Sequence, residues 1–330
     1  MEFFLPFKIL DYPFTISYKD KILFIGSCFS EEIGNKMEDS KLDVLQNPNG
    51  ILYNPVSIAD ALFSYIENKP FDIENLFDSN GLWHSWKHHS VFSGINKNEV
   101  LQKINNSQLC AHAFLKKANV LIITLGTAFN YKLKTNKENV ANCHKAPADN
   151  FEKKLIPAKE IISEMLSVLN AIEKFNPGLK IIFTISPVKH VKDGVIENNR
   201  SKARLIEAVH SIVEERENAF YFPAYELVND VLRDYRFYKN DLVHPNETAI
   251  EYVFERFSNS FFDNSTKETG KQIEKILSAV NHKPFFKESD AYQKFIASQL
   301  QKINEIELEY PFINLSKEKN ILKNNAKQES

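Results

Sequence analysis

Lys21-Ile22-Leu23-Phe24-Ile25-Gly26-Ser27-Cys28-Phe29-Ser30 decides how this chain folds. Its first half is a nearly unbroken apolar run. Its second half turns small and polar and leads into a helix-like segment at Glu31. A strand with one wet face alternates apolar and polar residues, whereas an unbroken run marks a strand covered on both faces, as in parallel sheets. Residues 120–125 and 181–185 repeat the pattern, and residues 219–222 do so more weakly. Helix-compatible segments fill the intervals, at residues 31–39, 56–67, 99–118, 158–175, 201–217, 226–234 and 247–258. Asn176-Pro177-Gly178 stops one helix before the next strand. This alternation predicts a doubly wound α/β sandwich. The strong strands end in Gly26-Ser27, Gly126-Thr127 and Ser186-Pro187. Ligands of open parallel sheets bind beyond the carboxyl ends of the strands, so a site is expected along that edge.

Two stretches, 68–98 and 129–150, resist regular assignment and read as lids or binding loops. Beyond Phe262 the chain turns polar, with helical patterns at 267–280 and 289–306. The expected division is a main domain over 1–262, a helical extension over 263–313 and a flexible tail over 314–330, the last rich in Lys, Asn and Gln.

A chain of 330 residues suits one main domain with appendages. A net charge of -2 gives no global basic field, so neither nucleic acid nor a membrane surface is expected as partner. Cys28, Cys110 and Cys143 are odd in number and widely spaced, which argues against a disulfide framework and a structural zinc site. The first residues include an early acid and no sustained apolar stretch, so no signal peptide is expected. With no run of about 18 uncharged apolar residues to span a bilayer, the expected location is the cytoplasm.

A serine where a strand becomes a helix, with Asp241 and His244 far downstream, supplies the parts of a Ser-His-Asp hydrolase. Ser27 reads either as a nucleophile at a helix N-terminus or as a helix N-cap. Ser30 is the more natural cap, since Glu31 and Glu32 follow it and suit the helix dipole. Asp241 and His244 share a face if their turn is helical; otherwise they are a surface acid and a loop histidine. Cys28 is a rival nucleophile, or a buried thiol. Arg200, beside Asn199, reads as a fork for a substrate anion or as a surface ion pair. His190 reads as pocket-lining or as a solvated loop residue. His84, His88 and His89 carry a helical i, i+4 spacing but enclose no acid, so no metal is expected. With Trp83, Trp86 and Phe92 they read as an aromatic substrate wall, with His89 toward the substrate, or as loop packing.

Gly26-Ser27-Cys28-Phe29-Ser30 resembles the motif that names the GSCFA family, a bacterial group, with Ser in the last place instead of Ala. Residues 47–55, 124–128, 186–190, 197–203 and 241–245 look like the same family in the same order, so the resemblance covers roughly residues 3–260. The family looks related to SGNH (GDSL-type) hydrolases. That resemblance implies a flavodoxin-like three-layer α/β/α fold with helical C-terminal additions. It also implies ester cleavage by Ser27 with an Asp-x-x-His pair, here Asp241 and His244. The oxyanion hole it implies is the Ser27 N–H, a Gly N–H matched by Gly50, and an Asn side chain. The third block reads Gly126-Thr127-Ala128 and has no Asn, so Thr127 is the substitute, with Asn54 and Asn130 as alternatives.

The combined expectation is hydrolysis of acyl or acetyl esters of a carbohydrate or small metabolite through an acyl-Ser27 intermediate, without metal or organic cofactor. Asn54, His89, His190, Asn199 and Arg200 are the expected substrate contacts. A non-catalytic binding module of the same fold and an acyltransferase with the same triad are the alternatives.

Overall fold

The opening stretch folds as strand β1 (Lys21–Gly26) followed, after the single residue Ser27, by helix α1 (Cys28–Asp39). The computed structural model describes residues 6–9, 11–282, 285–286 and 288–326. Residues 1–5, read above as lacking a leader pattern, and 327–330 of the expected tail lie outside it. The elements continue with β2 (Asp43–Gln46), α2 (Pro55–Glu67), β3 (Leu76–Ser79), β4 (Leu82–Ser85), α3 (Lys97–Leu115) and β5 (Val120–Leu125). Next come β6 (Phe129–Leu133), β7 (Asn139–Val140), β8 (Phe151–Leu155), α4 (Ala158–Phe175), β9 (Lys180–Ile185), α5 (Val195–Glu215) and β10 (Ala219–Tyr221). The last are α6 (Ala224–Glu226), α7 (Glu247–Phe261), α8 (Asn264–Asn281), α9 (Asp290–Glu309) and α10 (Ser316–Ala326).

The central sheet has the order β10-β9-β5-β1-β2 and every pairing is parallel. Counted along the sheet strands alone this is 2-1-3-4-5, the flavodoxin-like order. The apolar runs serve both faces in alternation. Ile22 and Phe24 enter one core, with Ile122 and Ile182 beside them. Leu23 and Ile25 enter the other, with Leu121, Ile123, Ile181 and Phe183. Helices α2, α3, α4 and α5 cover the second face, while α1 and α7 cover the first. Each such side chain contributes about 1.5–3 kcal/mol on burial, which offsets the cost of ordering the strand.

Three expectations change. The stretch at 68–98 carries the β3-β4 hairpin, turned by Asn80 and Gly81, both at positive φ. Positive φ at two consecutive residues is what a tight two-residue hairpin requires, and Asn-Gly supplies it. The stretch at 129–150, which reads as a loop, opens the three-stranded antiparallel sheet β7-β6-β8. The expected helix at 226–234 is a short turn at α6 that runs into a π-helix at Leu227–Leu232.

Residues 316–326 of the expected tail form a helix. Leu322 of α10 is fully buried, and Glu318 pairs at 2.8 Å with Lys41, between α1 and β2. Ile273, Ile276, Ile296, Ile303 and Leu315 join the same core as Phe24 and Phe257, so the C-terminal helices extend the main core. Among the described residues no helix is long and apolar enough to cross a membrane.

Candidate functional site

Gly26 ends β1 at φ +144, and a Cβ there would lie 2.2 Å from the Thr124 carbonyl oxygen of β5. Only glycine lets the two backbones approach this closely. Its N–H donates to Asn47 Oδ1 at 2.8 Å and its carbonyl accepts from Leu52 N at 2.9 Å, so the turn is fixed on both sides. Ser27 then stands at the N-cap position of α1, but its side chain makes no capping hydrogen bond. The residue is fully buried, and its Oγ has no hydrogen-bond partner. A buried orphan hydroxyl costs about 1–3 kcal/mol, a penalty tolerated chiefly where the group has work to do. Ser30 Oγ is likewise buried and unpaired, so it is not the cap the sequence suggested.

Ser27 follows β1 and Gly126 follows β5. These neighbouring strands flank the point where the sheet order reverses, the usual place for a ligand in such sheets. The point where a Gly126 side chain would begin lies 3.3 Å from Ser27 Cβ, 3.2 Å from His190 Nε2 and 3.1 Å from the Tyr53 carbonyl oxygen. Gly126 is held rigidly, with its N–H on Tyr53 O at 2.8 Å and its carbonyl accepting from Lys202 Nζ at 2.7 Å.

His190 thus stands beside Ser27. The Oδ1 of Asn198, in the first turn of α5, accepts its backbone N–H at 2.8 Å. Tyr53 meets the ring edge-on at 5.3 Å. Nε2 is buried without a partner. Burial above all, then Lys202 and His244, pulls its pKa down to about 4, so the ring is neutral at pH 7.

The Asp241–His244 pair forms, though not on a helix. Leu242 has φ +59, which turns the chain so that Asp241 Oδ1 accepts the N–H groups of Val243 (2.9 Å) and His244 (3.0 Å). Oδ2 lies 2.7 Å from His244 Nδ1. The His244 N–H first, then the Val243 N–H and the imidazole, hold the Asp241 carboxyl well below the usual carboxylate range. The pair is half-exposed. Its loop is tied to the His190 segment by Lys189 N to Val243 O (3.2 Å) and to α1 by Lys239 Nζ to Glu32 Oε1 (3.1 Å). Ser27 Oγ and His244 make no hydrogen bond in this state.

The expected oxyanion donors are occupied. The Ser27 N–H donates to Thr124 O at 3.1 Å, because Gly26 carries the sheet ladder one residue further. The Gly50 N–H closes a turn onto Asn47 O at 2.6 Å. The Thr127 N–H donates to Tyr53 O at 2.9 Å, and its hydroxyl pairs with Ser201 Oγ at 3.1 Å and accepts from Phe129 N.

Of the expected substrate contacts, His190 joins Ser27 and the others have different work. Asn54 is buried as the N-cap of α2, accepting Ser57 N at 2.9 Å. His89 packs over Gly50, where a Cβ would stand 2.3 Å from its own Cβ. Arg200 forms an exposed pair with Glu197 at 2.7 Å, and the exposed Asn199 accepts from Asn198 Nδ2. These two face away because the buried stripe of α5 runs through Asn198, Ser201, Lys202 and Leu205. His84 lies on β4 and His88 in the turn beyond it, so the helical i, i+4 alignment is not formed. They bond instead to Ser93 Oγ at 2.7 Å and Ser85 Oγ at 2.9 Å. Trp86 stacks on Phe77 at 3.6 Å and meets Phe151 of β8, so the aromatic wall is packing between the two small sheets. Burial first, then Glu31 and Glu32, pushes the Cys28 thiol up, away from the reactive thiolate.

Lys202, which sequence reasoning passed over, is fully buried and donates to Gly126 O (2.7 Å) and Ser186 O (2.6 Å), joining the ends of β5 and β9. A lysine on an apolar helical stripe was its only signal.

A family model matches residues 21–257, most of the chain. The chain belongs to the GSCFA family. A second model, of the C-terminal domain of GSCFA domain proteins, matches residues 273–328, which covers α9, α10 and the second half of α8. No curated protein matches this GSCFA chain. Among solved structures it is similar to an acetyl xylan esterase from the rumen bacterium Butyrivibrio proteoclasticus. That likeness has 11% identity and a TM-score of 0.38, covering 74% of this chain and 64% of the esterase, less than two thirds of its length. It is also similar to a carbohydrate esterase family 3 structure from Talaromyces cellulolyticus, at 10% identity and a TM-score of 0.35, covering 78% of this chain and 99% of that one.

Proposed function

We propose that this GSCFA protein hydrolyses acyl or acetyl esters of a carbohydrate or small metabolite, with Ser27 as nucleophile. The observation that carries this reading is the buried, unpaired Ser27 hydroxyl at the sheet switch point. The carboxylate-backed imidazole on a loop tied to the same strand ends supports it. Ser27 Oγ attacks the ester carbonyl carbon as its proton passes to His244 Nε2. Asp241 holds Nδ1–H and stabilises the imidazolium. The carbon–oxygen bond to the alcohol breaks as His244 returns the proton to the leaving oxygen. Water then attacks the acyl-serine by the same steps and releases the acid and free Ser27. Because Ser27 Oγ and His244 are unpaired at rest, their hydrogen bond forms only in the substrate complex, as in many free hydrolases.

The occupied oxyanion donors favour a second reading, a binding module with a pocket but no turnover. Labelling with a fluorophosphonate separates the two. Modification of Ser27 that is lost in His244→Ala supports the enzyme. A protein that retains an acetylated sugar but is never labelled at Ser27 refutes it.

A further inference from the structure

We infer that His190 is a catalytic residue, its Nε2–H donating to the oxyanion that forms when Ser27 attacks. The inference rests on the acyl-Ser27 reading and supplies the donor that the third block, Gly126-Thr127-Ala128, lacks.

Ser27 Oγ and His190 Nε2 are both buried polar atoms without partners. Ser27 Cβ and His190 Nε2 lie 3.3 Å and 3.2 Å from the point where a Gly126 side chain would begin, so the two residues flank the same glycine. The Ser27 and Gly50 N–H groups expected for this task already serve Thr124 and Asn47, and the Thr127 hydroxyl is paired with Ser201 Oγ. A donor poised without a partner needs no reorganisation when charge develops, the condition under which such groups act most strongly.

The two histidines divide the work by their surroundings. Among the described residues the one histidine–carboxylate ion pair is His244 with Asp241, so His244 is equipped to become charged. His190 has no carboxylate partner, and burial above all, with Lys202 and His244 nearby, keeps it neutral. A neutral imidazole protonated on Nε2 is a donor that does not compete for the serine proton. Its aim is fixed from both sides. Asn198 holds the backbone and the Tyr53 edge holds the ring. Neither hold uses the Nε2 atom.

The test compares His190→Phe, which keeps a ring against Tyr53 but has no N–H, with His190→Gln, whose amide places an N–H near the Nε2 position. p-Nitrophenyl acetate hydrolysis and the rate of fluorophosphonate labelling at Ser27 are measured for both and for the parent protein. The expected result for His190→Phe is a kcat about 100- to 1000-fold lower, as for loss of one oxyanion donor, with KM little changed and Ser27 labelling slowed in parallel. His190→Gln recovers at least a tenth of the parent kcat. Parental kcat and labelling in His190→Phe, or a Gln variant as slow as the Phe variant, overturns the role of His190 while leaving the serine mechanism intact. Absence of Ser27 labelling in the parent protein removes the serine mechanism itself, and this inference with it.

Discussion

Replacing Gly126 with alanine places one methyl group in the space where the chemistry is assigned. Its contacts would be 3.1 Å to Tyr53 O, 3.2 Å to His190 Nε2 and 3.3 Å to Ser27 Cβ. Carbon contacts are most favourable at about 3.5–4.0 Å, so each neighbour must retreat by a few tenths of an ångström. Gly126 cannot move instead, because Tyr53 O, Lys202 Nζ and the parallel ladder hold it. The stability cost is that of mild overpacking, about 1 kcal/mol, which lowers Tm by about 2–4 °C in a domain of this size. The activity cost is larger. Prising the hydroxyl and the imidazole apart misaligns attack and oxyanion binding together, and small misplacements of reacting groups cost up to about 100-fold. The expected result is a 10- to 100-fold fall in kcat/KM, about 1.4–2.8 kcal/mol of transition-state stabilisation. The assay is p-nitrophenyl acetate turnover with Tm from differential scanning calorimetry on the same samples. Unchanged turnover with unchanged Tm would refute the assignment of this space to the reaction. Equal losses in both would reduce Gly126 to a packing residue.

Asp241→Asn keeps an amide oxygen for the two backbone N–H groups but replaces the carboxylate oxygen facing the His244 ring with an NH2 donor. It should lower kcat about 10⁴-fold, the cost seen when a triad carboxylate is lost, with Tm changed by less than about 3 °C because the loop is exposed; steady-state kinetics and calorimetry check this. Lys202→Met should change how stability depends on pH. Burial lowers the folded pKa of Lys202 to about 7 from an ordinary 10.5. Between those values the unfolded chain binds a proton that the folded one does not, so this lysine makes stability rise with pH there, by up to about 1.4 kcal/mol per unit. Urea unfolding from pH 6 to 10 should show that rise in the parent protein and a flatter profile in the variant. Arg200→Ala, which breaks only the exposed pair with Glu197, should leave kcat/KM within about twofold and stability within about 0.5 kcal/mol; a large rise in KM would restore Arg200 to the substrate site.

The main sheet was legible because its code is local. Nearly unbroken apolar runs of four to six residues between helical patterns leave few alternatives to a covered parallel sheet. β2 was not legible, since Asp43-Val44-Leu45-Gln46 is a short edge strand with exposed or partly exposed residues throughout. The small sheets were hidden for a related reason. β6 and β8 carry Lys132, Lys153 and Lys154 among their residues, and their partners are fixed by antiparallel pairing across the 134–150 loop, not by a strong apolar signature. The Asn80-Gly81 turn was a readable hairpin signal. In α10 the composition suggested disorder, but Leu322 finds a core built from residues far upstream.

The sequence by itself determined the alternation of the main-sheet strands β1, β5, β9 and β10 with their covering helices, the serine at the end of β1, and the contact between Asp241 and His244. These depend on residues adjacent in the chain or three apart, and local backbone geometry is enough to specify them. Only the tertiary structure brought His190 to Ser27, put Lys202 beneath Gly126, turned Arg200 outward and occupied the expected oxyanion donors. Those outcomes depend on which face of a helix meets the sheet and which backbone groups the sheet edge has already paired. Both are settled by burial among residues dozens of positions apart, where no single stretch of sequence carries the answer.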